Sequence, residues 1–111
     1  TQIRDWIFVE DHASGLISAM WKLTEHEITS GEVFNFGSSN EIKNIQLVTE
    51  LLTLMGGSED LIQFVKDRLG HDKRYAIDSS KSQRTLGWKP NVSWKGGLKR
   101  TIDWHIANRD V

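Results

Sequence analysis

I-R-D-W-I-F-V-E-D-H-A-S-G-L-I-S-A-M-W-K-L, residues 3–23, sets the architecture. Ile3–Val9 is dense in β-branched and aromatic residues and reads as a strand. Glu10, Asp11 and His12 follow it. Asp11 is the expected helix N-cap, because its carboxylate can accept from the free N–H groups of a first turn. Beyond it, Ala13, Leu16, Ile17, Met20 and Leu23 fall at helical spacing, with a stop near Gly31.

Working outward, Glu32–Gly37 (E-V-F-N-F-G) alternates and reads as a second strand. Residues 38–43 are polar and read as a loop. Asn44 is a plausible N-cap for a helix carrying Leu47, Val48, Leu51, Leu52 and Met55, closed by Gly56 and Gly57, since glycine tolerates the left-handed conformation at a helix C-terminus. Leu61–Val65 reads as a short strand, Lys66–Lys73 as a charged loop and Arg74–Ile77 as another short strand. Asp78 caps a short helix through Leu86, which Gly87 closes. Trp88-Lys89-Pro90 is extended, since proline biases its predecessor away from helix. Ser93 then caps a last helix, with Trp94, Leu98, Ile102 and Ile106 on one face. The order is β-α-β-α-β-(β)-α-α. No pair of these strands makes a complete doubly wound sheet, so the expected fold class is α/β of an α+β-like kind. Short strands with about four helices are expected, and not a standalone Rossmann domain.

The length, 111 residues, allows one small domain or part of a larger one. The sequence opens on Thr1, and residue 3 already reads as the inside of an element, so an excised or processed chain is expected. A net charge of −1 removes bulk attraction to nucleic acid or an anionic membrane, so any anion must be held by a local cluster. The absence of cysteine excludes a disulfide framework and thiolate metal sites, and fits a reducing compartment. No apolar run reaches the roughly 18 residues of a membrane span. Five tryptophans are many for this length, and a half-exposed one would mark a face made for another domain.

Three clusters are candidates for chemistry: Arg4-Asp5, Asn40 to Asn44, and Lys66 to Tyr75. The strongest is K-D-R-L-G-H-D-K-R-Y, residues 66–75, which places Lys66, Arg68, His71, Lys73 and Arg74 around Gly70. Guanidinium groups offer forked donors to phosphate oxygens, and a glycine lets backbone approach a ligand, so the cluster suits a diphosphate. The competing reading is a solvated loop whose charges Asp67 and Asp72 partly neutralise. Arg4 is either a phosphate ligand at a strand end or one half of a local ion pair with Asp5. Asn44 is a helix cap, a role compatible with anion binding at the same helix start. Glu10, Asp11 and His12 make only a weak metal signal. His26 and His105 read as surface or packing residues. No G-x-x-G-x-x-G follows a strand, and Tyr75, the lone tyrosine, has Ser79 and no lysine four residues on, so neither a dinucleotide fingerprint nor a tyrosine–lysine catalytic pair is present.

Taken together, these segments resemble a known family. R-D-W-I-F-V-E-D-H at 4–12 is similar to the strand-to-helix segment of extended short-chain dehydrogenase/reductase enzymes acting on sugar nucleotides. Residues 32–37 followed by N-E-I-K-N resemble the next segment. D-R-L-G-H-D-K-R-Y-A-I-D at 67–78 is the most specific piece and resembles the signature of the dehydratases that act on dTDP-glucose, with Leu69 where the family usually has proline. S-K-S-Q-R-T-L-G-W-K-P at 80–90, Gly97 and Trp104 complete the match over essentially the whole chain. The resemblance implies that residues 1–111 are a small C-terminal substrate-binding domain, with an N-terminal Rossmann NAD domain absent from this chain. It implies Arg4, Asn44, Arg68, His71 and Tyr75 as residues that bind the nucleotide diphosphate of dTDP-glucose, with catalytic and cofactor residues lying upstream. For the intact enzyme it implies a cytoplasmic, homodimeric lyase that oxidises the sugar at C4 with NAD, loses water across C5 and C6, and returns the hydride. Two other readings stay open: a nucleotide-sugar epimerase or decarboxylase, and a free-standing, non-catalytic binding module.

Overall fold

The computed structural model describes residues 1–110. It contains four helices and a two-stranded sheet. In chain order these are β1 (Ile3–Asp5), α1 (Val9–Thr24), β2 (Glu41–Lys43), α2 (Asn44–Met55), a single 3₁₀ turn (Glu59–Leu61), α3 (Ser80–Leu86) and α4 (Trp94–Ala107). β1 and β2 are antiparallel, with Ile3 opposite Lys43, Arg4 opposite Ile42 and Asp5 opposite Glu41. One parallel bridge, Ile3 to Arg74, adds the 67–78 loop to the same strand. Ile3 donates its N–H to Lys73 O at 2.7 Å and accepts from Tyr75 N at 2.9 Å. No helix among the described residues is long and apolar enough to cross a membrane.

The expected strand over 3–9 is shorter, because Asp5 ends it. Its carboxylate accepts from Ser38 N (3.1 Å), Ser38 Oγ (2.9 Å), Ser39 N (3.3 Å) and Asn40 N (3.2 Å), folding the 38–40 turn back over the strand end. That turn delivers residues 41–43 to β1, so the segment expected as pure loop holds β2. The helix also begins earlier than expected. Val9 is its first residue, so Asp11 lies inside the first turn and is not the cap. Only 4% exposed, Asp11 reaches across the molecule and accepts from Asn91 N (3.1 Å) and Val92 N (2.9 Å), tying the chain before α4 to α1.

Residues 32–37 are extended but form no ladder. Their backbone groups are taken by side chains of α3 and its approach. Lys81 Nζ donates to Val33 O at 2.9 Å and Ser82 Oγ to Asn35 O at 2.6 Å. Ser79 Oγ accepts from Gly37 N at 2.7 Å and lies 3.1 Å from Gly37 O. The strand expected at 61–65 is a 3₁₀ turn running into unpaired chain, and the one expected at 74–77 is a single bridge.

α1 stops at Thr24, with Glu25 as its C-cap, well before the expected Gly31, while other helix ends follow the expected chemistry more closely. Ser93 accepts from Gly96 N at 3.1 Å, the N-cap bond, and Gly56 and Gly87 take φ of 69° and 64° at their C-caps. Asp78 Oδ1 accepts from Ser80 N at 2.9 Å, one residue before the capping position that Ser79 fills. Asn44 is already helical and makes no cap bond, and Lys43 stands at the N-cap.

The interior is small: Leu86, Trp88 and Ile102 are its buried apolar side chains. Trp88 donates from Nε1 toward Asp11 O (3.0 Å) and Ser14 Oγ (3.1 Å) and meets the Phe36 ring edge-on at 5.0 Å. Gly15 is where α1 crosses Phe36, and a Cβ there would lie 2.6 Å from the ring. The face of α1 that turns inward therefore carries Asp11 and Gly15, while Leu16, Ile17, Met20 and Trp21 are each more than half exposed. An amphipathic helix normally buries such a stripe. The Cα radius of gyration is 16.9 Å, against about 13 Å for a compact domain of this length.

Candidate functional site

Side chains alternate across a strand, so Arg4 and Asp5 leave β1 on opposite faces and do not pair. Asp5 serves the 38–40 turn, while Arg4 points to the 67–78 loop. Its Nη2 lies 2.8 Å from His71 Nε2 and donates to Asp72 O at 3.0 Å, and its Nη1 donates to Ile3 O at 2.7 Å. The guanidinium carbon sits 5.4 Å from the Tyr75 ring centroid, within cation–π range. Three of the five guanidinium N–H groups are thereby engaged, which leaves two for a ligand.

Behind His71 stands Asp67. His71 Nδ1 and Asp67 Oδ1 are 2.6 Å apart, and Asp67 Oδ2 accepts from Gln2 Nε2 at 2.6 Å. The hydrogen bond from His71 holds the Asp67 carboxyl below the ordinary aspartate range. Reading the charges along the loop counts Asp67 only as neutralising. Its contacts run to a histidine four residues on and to a glutamine 65 residues away, and the second distance has no local signal.

The structure therefore brings Arg4, His71 and Tyr75 together. Arg68 lies on the same loop, exposed, with its guanidinium unengaged by any described residue. Arg74 is not free: it pairs with Glu41 of β2 through Nε (2.6 Å) and Nη2 (2.5 Å), fastening the loop to the sheet. Asn44 follows β2 directly. Its N–H donates to Gln2 O at 2.9 Å, and its Oδ1 is buried with no partner. A buried acceptor left unmatched costs free energy.

The Glu10–Asp11–His12 triplet is fully accounted for by packing. Glu10 pairs with Arg100 at 2.8 Å, Asp11 holds residues 91–92, and the His12 ring lies edge-on to Phe36. A concavity of about 860 Å³ lies elsewhere. It is an open apolar groove walled by Trp6, Phe8, Leu47, Leu51, Trp94 and Leu98, and it shares no residue with the Arg4 cluster. Trp6 Nε1 is buried at its edge without an acceptor. The groove has the character of a packing surface, and the ionic donors lie in the Arg4 cluster.

The family model described as GDP-mannose 4,6 dehydratase matches residues 1–101. The dTDP-glucose 4,6-dehydratase of Escherichia coli is 42% identical over 96% of the chain, which covers 30% of that protein. The low-salt glycan biosynthesis protein Agl12 of Haloferax volcanii is 43% identical over 97% of the chain and is covered to 33%. Among solved structures, the dTDP-glucose 4,6-dehydratase of Streptomyces venezuelae, with NAD and TYD bound, superposes with a TM-score of 0.87 at 34% identity, covering 98% of this chain and 32% of that one. The enzyme of the same name from Bacillus anthracis, in complex with NAD, gives 0.83 at 35% identity. The chain thus spans about a third of the length of the relatives it matches. It belongs to the NDP-sugar 4,6-dehydratase family.

Proposed function

We propose that these residues are the C-terminal substrate-binding domain of a dTDP-glucose 4,6-dehydratase, and that they grip the nucleotide diphosphate of dTDP-glucose. The observation that carries this is the meeting of Arg4 with His71 and Tyr75, residues about 70 positions apart, on the loop that also carries the exposed Arg68. Arg4 and Arg68 approach the phosphates from two segments. Asn44 offers its unmatched oxygen to a hydroxyl, and Tyr75 offers a ring and a phenol. Charge-assisted bonds of this kind are about twice as strong as neutral ones. Their role is positioning: binding energy from the nucleotide half holds the sugar where chemistry occurs.

NAD does not fit the residues present. Nothing in this chain supplies a strand, a glycine-rich turn and a helix in succession, so in this proposal the cofactor and the reacting groups belong to the rest of the polypeptide. The outward apolar stripe of α1 and the groove between α2 and α4 support the same arrangement, as surfaces on which that remainder packs.

The test is Arg68→Ala in the complete polypeptide. KM for dTDP-glucose is expected to rise about tenfold, the lower end for a hydrogen bond to a charged group, since Arg68 is exposed. The rise should shrink with added salt. An unchanged KM would remove Arg68 from the site.

A further inference from the structure

We infer that Asp67 and His71 form a relay that positions the Arg4 guanidinium, so that His71 serves the nucleotide through Arg4 and not as a phosphate donor. The inference rests on the diphosphate reading proposed above.

A guanidinium has donors and no acceptor. The 2.8 Å approach of Arg4 Nη2 to His71 Nε2 therefore requires a lone pair on Nε2. A neutral imidazole carries one N–H, which must then sit on Nδ1, and Nδ1 faces Asp67 Oδ1 at 2.6 Å. Asp67 is fixed in turn by Gln2 at 2.6 Å. The chain of bonds starts at Gln2, just before β1, passes through Asp67 and His71, and ends on β1 at Arg4. Gln2 and Arg4 are two apart on an extended segment and so share a face. A histidine serving phosphate directly would offer Nε2–H to the ligand, whereas here the Nε2 lone pair is covered by Arg4. Holding Arg4 through His71 and Asp72 O leaves its remaining donors in one orientation, and a preorganised donor binds more tightly than a mobile one.

The experiment uses the complete polypeptide, with dTDP as the probe, and compares wild type with Asp67→Ala, Asp67→Asn, His71→Ala, the Asp67→Ala/His71→Ala pair and Arg4→Ala. Ring ¹⁵N shifts of His71 should show the Nδ1–H tautomer in wild type and a shift toward Nε2–H in Asp67→Ala. The Kd for dTDP should rise about fivefold in Asp67→Ala, the scale of one hydrogen bond. In turnover the change should fall on KM and not on kcat. Asp67→Asn keeps an acceptor oxygen, so it should retain the tautomer and most of the affinity. The double variant should bind no more weakly than His71→Ala, because both act through one relay. Asp67 is half exposed, its side chain at 54%, so its replacement should leave the fold intact. An unchanged tautomer in Asp67→Ala, a Kd within twofold of wild type, or additive losses in the double variant would overturn the relay. If Arg4→Ala alone weakened dTDP, the diphosphate reading would survive that failure. If Arg4→Ala left Kd unchanged, both would fall.

Discussion

Replacing Asp11 with alanine tests how the chain before α4 is attached. Asp11 is 4% exposed, and its carboxylate accepts from Asn91 N at 3.1 Å and Val92 N at 2.9 Å. A hydrogen bond to a charged group contributes about 1.5–3 kcal/mol, and both contacts are of ordinary length, so two bonds near the lower end give about 3–4 kcal/mol. Domains of this size have about 5–15 kcal/mol in total, so the loss would be a large part of it. Asp11→Asn keeps one acceptor but turns an NH₂ toward the other N–H, and should cost about 2 kcal/mol. Urea unfolding followed by tryptophan fluorescence measures both, because Trp88 Nε1 donates to the carbonyl of the same residue, at 3.0 Å. Amide exchange gives the local readout: Asn91 and Val92 should lose protection first. Asp103→Ala, which breaks an exposed pair with Lys99, is the control and should cost under about 0.5 kcal/mol. A loss below about 1 kcal/mol for Asp11→Ala would refute the assignment of these two bonds as the anchor.

Two further outcomes are expected. Gly37→Ala should destabilise by about 1–3 kcal/mol, because the new Cβ would lie 2.5 Å from Asp5 Oδ2 and 2.8 Å from Ile77 Cβ; wild-type thermal stability in this variant would contradict the close approach. The Asp78 carboxyl is held below its ordinary 3.8 by the hydroxyl and then the N–H of Ser80. A carboxyl lowered in the folded state contributes stability above its unfolded value that is lost as pH falls through the folded one. The α3 start should therefore loosen below pH about 4, and Asp78→Asn should flatten that part of the pH profile; an unaltered profile in Asp78→Asn would count against it.

Much of the helical framework is legible in the sequence, because helix ends have local chemistry. Ser93, Gly56 and Gly87 act where their types and spacing place them. What is not legible depends on partners far along the chain. Asp11 looks like a cap beside a helical pattern, yet its partners are 80 residues away. Residues 32–37 alternate like a strand, but Lys81, Ser82 and Ser79 take their backbone groups before any ladder can. The stripe of Leu16, Ile17, Met20 and Trp21 has the right period for a core-facing helix, and the core of this chain is on the other side. At the site, the charged loop and Arg4 stand out by residue type, while the links that join them, Asp67 to Gln2 and Arg74 to Glu41, carry no spacing signal.

The most direct test of the central claim is a structure of the complete polypeptide with dTDP bound. The account predicts phosphate oxygens within hydrogen-bond reach of both Arg4 and Arg68, with the Tyr75 ring beside them. A diphosphate held away from Arg4, whether in the Trp6–Trp94 groove or on another part of the polypeptide, would contradict it.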